Sequence, residues 1–238
     1  MRTILVVMAL ILSRNGYAQV HISAGTGIGW FSMKEFHDFQ EHLRSSFPVA
    51  ARITEQFPAY VIYDASIAWQ LRRTGFLGVY YQYGSTGGRI HYKDYSGEIY
   101  SDQLFHYNTI ALNAGEALEF GKNYSLRVDL HPGATFTSLE LLSVTKIGDQ
   151  RYQESYKFHS INATMQPTFE LTKTWGNFGL KLSAGYHIAV YAGKVKLKGN
   201  KNAILLGSST DPIAASWDGL RLGLSGIYII GRRLGEEE

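Results

Sequence analysis

Along residues 160–172, SINATMQPTFELT, every even position is polar and every odd position is apolar. Ser160, Asn162, Thr164, Gln166, Thr168, Glu170 and Thr172 oppose Ile161, Ala163, Met165, Pro167, Phe169 and Leu171. A period of two puts successive side chains on opposite faces of a β-strand. The same alternation predicts strands over 20–33, 59–72, 76–86, 104–118, 124–137, 178–190 and 217–230, eight in all with 160–172. One face of each carries Ile, Leu, Val and aromatic residues. The other carries Gly, Ser, Thr and Ala with a few charges. The strand over 104–118 is the least regular, Ile110, Leu112 and Ala114 opposing Thr109, Ala111, Asn113 and Gly115.

The connections alternate long and short, and the short ones test the faces, because a hairpin must keep both apolar faces on one side. Arg73-Thr74-Gly75 and Glu119-Phe120-Gly121 supply three-residue loops ending in Gly where an odd length is needed. Gly176-Asn177 supplies the even loop required between 160–172 and 178–190. These turns predict Ala68 opposite Tyr80, Gln70 opposite Gly78, Asn113 opposite Arg127 and Ala111 opposite Asp129. They also predict Glu170 opposite Ser183 and diagonal to Lys181, within reach of a long side chain.

Volume decides which face is inside. An eight-stranded barrel has an interior only just filled by side chains. The Ile, Leu, Val, Tyr, Phe and Trp of all the strands would overfill it, whereas the small polar face fits. The expected interior network comprises Asp64, Arg72, Gln82, Asn113, Arg127, Asp129, His131, Glu170, Lys181, His187 and Arg221. The apolar face then points outward, where only lipid solvates it. Trp30, Trp69, Tyr81, Tyr83, Tyr124, Phe136, Phe178, Tyr186 and Tyr228 lie toward strand ends on that face, as interfacial girdles do. The predicted fold is all-β: an eight-stranded antiparallel up-and-down transmembrane β-barrel.

The N-terminus adds a compartment. Arg2, an apolar run from Ile4 to Leu12 and the ending Gly16-Tyr17-Ala18 read as a signal peptide over 1–18, leaving a barrel domain over 19–238. The run is too short to cross a bilayer as a helix. The chain has no cysteine, hence no lipoprotein anchor, disulfide or thiolate site. Removing Arg2 and Arg14 lowers the formal charge from +3 to +1, which gives no reason to expect nucleic acid as a partner.

With export signal, amphipathic strands and alternating loops, the chain resembles the small bacterial outer-membrane β-barrel families, OmpA/OmpX-type and the related outer membrane protein beta-barrel domain group. The resemblance covers essentially the whole chain after residue 18 and rests on pattern. It implies a Gram-negative outer membrane, both termini in the periplasm, short turns on that side and four long extracellular loops. Many such barrels end on an aromatic residue, whereas Tyr228 here is followed by a tail, 231–238.

The four outer loops are expected near 34–58, 87–103, 138–157 and 191–216. Phe36, Phe39, Leu43 and Phe47 at helical spacing predict a short amphipathic helix that caps the barrel or lies on the membrane. If the strand over 178–190 continues outward, Lys194, Lys196 and Lys198 share one face, and with Lys201 they are candidates for contact with lipopolysaccharide phosphates. Pro132 and Pro167 lack ladder donors on neighbouring strands and mark either a bend or a lateral gate for an apolar molecule. His21 and Ser23 form the sole His-x-Ser pair, at the periplasmic end, away from where a lipid-modifying site is expected. No catalytic residue, cofactor or metal-ligand motif is identified.

These features predict a monomeric outer-membrane barrel with a polar plugged interior, in contact with lipid and lipopolysaccharide. It would serve envelope stability, adhesion or binding of an extracellular ligand through its loops. A small-hydrophobe conduit or lipid A-modifying enzyme is the alternative, and a secreted soluble ligand-binding barrel the third.

Overall fold

The computed structural model describes residues 19–231 apart from 72, 73, 122, 201 and 208–210. The proposed signal segment, Arg72, Lys201 and the tail beyond Gly231 lie outside the described residues. The elements are β1 (Val20–Gly29), α1 (Lys34–Ser46), β2 (Arg52–Gln56), β3 (Tyr60–Gln70), β4 (Gly75–Lys93), β5 (Gly97–Phe120), β6 (Tyr124–Ile147), β7 (Gln150–Trp175), β8 (Phe178–Tyr191), β9 (Lys196–Leu197) and β10 (Gly219–Ile230). Pairing runs β4-β3-β1-β10-β8-β7-β6-β5 and returns from β5 to β4. The eight long strands therefore close into one antiparallel ring. β2 pairs with the outer part of β4, and β9 with β7.

The faces fall as the alternation requires. Phe169 is 59% exposed and its neighbour Glu170 only 2%. Ile161, Leu112 and Leu182 point outward, while Asn162, Asn113 and Lys181 are buried. An apolar wall around a polar lumen inverts the arrangement of a soluble barrel.

Two of the expected loops are strands. β4 and β5 join through Asp94-Tyr95-Ser96, and β6 and β7 through Gly148-Asp149. Segments 87–103 and 138–157 are thus hairpin extensions, whose polar alternation resembles loop composition until the cross-strand partners are known. β7 has 26 residues, about 85 Å of chain at ~3.3 Å per residue. A bilayer crossing needs only about 9–11 residues, so β4 to β7 continue beyond the ring as a four-stranded sheet.

Two registers differ from expectation without changing faces. Ala68 lies opposite Gly78 and Gln70 opposite Phe76, two residues away from the predicted pairing. The Leu71 amide donates to the Gly75 carbonyl at 2.9 Å, so the hairpin closes at 71 and 75 where the prediction set 72 against 76. β5 runs on to Phe120, which pairs with Tyr124, so Arg127 faces Ala117 and Asp129 faces Gly115. The third register holds: Trp175 pairs with Phe178 and Glu170 with Ser183.

The mouth above the polar lumen is filled by an apolar cluster. Phe31, Met33, Phe36 and Phe39 from the β1–α1 region meet Phe57, Phe105, Tyr107, Leu139 and Trp217, with Val195 and Ile213 from the β8–β10 connection. Three of the four expected positions form the cap: Phe36 and Phe39 are buried and Leu43 packs against them, while Phe47 follows the helix in extended backbone. Met33 (φ 40°) and Phe57 (φ 45°) adopt left-handed backbone conformations, at about 1–2 kcal/mol each. Both are buried in this cluster, at 1% and 3% exposure, and its packing holds them there.

Candidate functional site

Strand alternation brings the predicted interior residues other than Arg72, which lies outside the described residues, into one lumen. The Arg127 Nε donates to Asp129 Oδ2 at 2.6 Å, and another guanidinium nitrogen meets Glu170 at 2.5 Å. Lys181 Nζ reaches the other Glu170 oxygen at 2.9 Å and the Ser23 hydroxyl at 3.2 Å. Two cations and two carboxylates thus bridge β6, β7 and β8. Asp64, on β3, accepts from the Ser225 hydroxyl at 3.1 Å.

Above this cluster Tyr107 donates to Gln82 at 2.8 Å, and Gln82 donates to Tyr80 at 2.7 Å. His187 lies 3.2 Å from Gln166 and 3.4 Å from Thr135. The Arg221 guanidinium donates to the carbonyl oxygens of Trp30 (2.7 Å) and Trp217 (2.6 Å) and lies over the Phe31 ring. The Trp217 indole donates to Thr137 at 2.8 Å, joining the apolar cap to the polar lumen. Asn162 also ties cap to wall: it donates to the Ala215 carbonyl and accepts from the Gly193 amide. A small pocket of about 60 Å³ indents the opposite end, against His21, Phe76 and Arg127.

The role of Phe31, Phe105, Tyr107 and Trp217 was missed from the sequence. Large apolar residues on an inward face are what made the strand over 104–118 look irregular, and that irregularity was the available signal.

The prolines fall elsewhere than a seam between their own strands. The β6–β7 ladder is unbroken from Tyr124 to Ile147, with Pro132 opposite Met165 and Pro167 opposite Leu130. The gaps flank it. Pairs are missing between β5 and β6 beside Pro132, and between β7 and β8 beside Pro167. Each proline turns its donorless nitrogen away from the shared ladder. A lateral opening between these two strands is therefore corrected to two separate single-site interruptions.

The lysines are also relocated. β8 ends at Tyr191 and does not carry them outward. The chain folds back over the mouth, burying Val195, and β9 pairs His159 with Lys196 and Phe158 with Leu197. The Lys198 amide donates to the Lys157 carbonyl at 2.7 Å. Lys157, His159, Lys196 and Lys198 consequently share the outward face, with Glu140 3.6 Å from Lys157.

The exposed part of the molecule is the sheet formed by the outer halves of β4 to β7. Its outward face carries ion pairs, Arg89–Asp102 at 2.5 Å and Lys146–Glu98 at 3.4 Å. On the β4 side it is flanked by β2. On the other side, among the described residues, residues 150–156 of β7 pair only with β6. Tyr152 and Tyr156 project from this edge, 60% and 51% exposed.

No family model and no curated protein matches the chain. Among solved structures, Ail, the attachment invasion locus protein of Yersinia pestis, aligns with a TM-score of 0.39 and 12% identity, covering 90% of this chain and 99% of that one. Ail in complex with the heparin analogue sucrose octasulfate aligns at 0.40 and 13%, covering 90% and 99%. CarO2 of Acinetobacter baumannii aligns at 0.41 and 12%, covering 91% and 100%.

Proposed function

We propose that the protein is an integral outer-membrane barrel that acts as a surface-binding protein, with the four-stranded extension of β4 to β7 as its working part. On this reading residues 1–18 direct export and both termini are periplasmic. One observation carries it: the lumen holds paired charges beneath an apolar cap, while among the described residues the outer sheet has an edge at 150–156 that pairs only with β6. A closed lumen gives no route for solutes. An open strand edge offers backbone donors and acceptors to an extended segment of another protein.

Shortening both hairpins, by deleting 89–102 and 141–156, tests the assignment. The shortened barrel should remain heat-modifiable on gels and lose binding to a reduced, carboxymethylated protein used as an extended-chain probe. Undiminished binding by the shortened barrel contradicts it.

A lipopolysaccharide contact is favoured by a separate observation, the grouping of Lys157, Lys194, Lys196 and Lys198 around the β7–β9 junction just beyond outward-facing Ile161. Each such contact contributes about 1 kcal/mol by analogy with polybasic segments on anionic membranes. Replacing all four lysines with alanine should lower retention of lipopolysaccharide on the purified barrel; unchanged retention contradicts the contact.

A further inference from the structure

Within the lumen, one group of side chains has polar atoms that the rest of the network leaves over. Among the described residues, Asp129 spends Oδ2 on Arg127 and finds no partner for its Oδ1. Neither ring nitrogen of His131 has one, and neither side-chain atom of Asn113 does. All three residues are buried, at 2%, 2% and 0% exposure. Burying such atoms without a partner costs about 1–3 kcal/mol each, so five in one place call for an occupant.

The backbone explains why they converge. Asp129 and His131 are two apart on β6 and share its inward face. Ala111 pairs with Gly133 and Ala114 with Leu130, a register that sets Asn113 opposite His131. Glu170 adds a carboxylate from β7, and the ligand atoms of Asp129, His131 and Glu170 lie within 4.8 Å of one another. Tyr80 stacks on the imidazole, with ring centroids 4.3 Å apart and planes 14° apart, and holds its orientation. Gly115, facing Asp129, leaves the space that Oδ1 occupies, since a Cβ there would lie 1.9 Å from it.

We infer that Asp129, His131 and Glu170, with the Asn113 amide oxygen beside them, form a buried site for one divalent transition-metal cation of the zinc class. The donor set decides the class. An imidazole nitrogen with carboxylate oxygens suits zinc and its neighbours, whereas calcium and magnesium take oxygen ligands. Points within 4.8 Å of one another can close on a central ion at about 2.0–2.2 Å by small side-chain movements. An adjoining cavity of about 10 Å³, bordered by His131, Glu170 and Asp64, lies where one water can complete the coordination. Arg127 and Lys181 oppose the added charge, and Asp64 gives the lumen a third carboxylate against those two cations. The site is buried on all sides, so the ion loads as the barrel folds around it and is then shielded from chelators.

The test uses the full barrel domain refolded in detergent with ZnCl₂, then washed with a chelator to strip zinc from exposed histidines. Metal analysis should find one zinc retained per chain, absent from His131→Gln. Refolding with cobalt should give a visible ligand-field band that is likewise lost. If His131→Gln does not fold, Asn113→Ala serves in its place, its retained zinc falling below that of the wild type. Equal retention by wild type and variants, or no retained metal in the wild type, overturns the inference and assigns the leftover atoms to water.

Discussion

Glu170 and Lys181 stand eleven residues apart and meet at 2.9 Å inside the barrel, because the two-residue turn Gly176-Asn177 fixes the β7–β8 register between them. Arg127 approaches the other Glu170 oxygen from β6. The pair is desolvated, and a buried charge left without its partner is far more costly than the intact pair is favourable.

Lys181→Met and Glu170→Met should each destabilise the barrel by about 3–5 kcal/mol. The double variant should lose much less than the sum, because no uncompensated charge remains between these positions. Guanidinium unfolding in phospholipid vesicles measures all three. Additive losses would mean that the two side chains do not act as a pair.

Trp217 joins the apolar cap to the lumen through Thr137 and packs against Phe31, Phe105 and Tyr107. Trp217→Ala should cost about 3–5 kcal/mol. The loss should fall on the cap: amide exchange in α1 should rise sharply while the interior of β7 remains protected. Uniform acceleration along the barrel would show that the cap is not a separate unit.

At the β4–β5 tip, the Asp94 carboxylate accepts from the Ser96 hydroxyl and amide and from the Gly97 amide. The Ser96 hydroxyl is the largest influence holding Asp94 below the usual carboxylate range, with Tyr92 next. A depressed carboxyl stabilises the folded turn at pH above its unfolded value and loses that contribution as pH falls through its own lower value. Amide exchange at Ser96 and Gly97, corrected for intrinsic rates, should therefore be slow at neutral pH and accelerate below about pH 4. Asp94→Asn should be fast at both. A flat profile in the wild type would contradict the linkage.

Pro132 and Pro167 interrupt different ladders. Pro132→Val should restore a β5–β6 hydrogen bond, and Pro167→Val a β7–β8 bond, each adding about 0.5–1.5 kcal/mol. Because the sites do not share a ladder, the two gains should add in the double variant. Strong coupling between them in unfolding experiments would instead restore the idea of one common seam.

Most of the barrel was legible because period-two patterning reports each residue's face independently of register. Glu170 and Lys181 could be paired from the sequence, since a two-residue turn leaves no freedom. Arg127 could not be matched to Ala117, because β5 continues through Glu119 and Phe120, residues that resemble a turn. The interior list came from parity and survives a register error of two or four, which keeps every side chain on its face. The apolar cap was less visible. Trp217, Phe105 and Val195 reach it from three distant segments, and only tertiary packing distinguishes them from outward aromatic residues. The long outer hairpins were hidden for a similar reason: β-strands with two solvated faces lose the apolar alternation that reveals strands in a wall.

On this account lipid lies on one side of this wall and other side chains on the other. The chain has no cysteine, so a single one can be placed in turn at positions 160 to 166 of the barrel refolded in vesicles. Fluorophores at Ile161→Cys, Ala163→Cys and Met165→Cys should be quenched by nitroxide-labelled lipid. Ser160→Cys, Asn162→Cys and Thr164→Cys should resist both lipid quenching and water-soluble maleimides. Quenching at the even positions, or reaction of both sets with the water-soluble reagent, would contradict a lipid-facing apolar wall around a closed polar lumen.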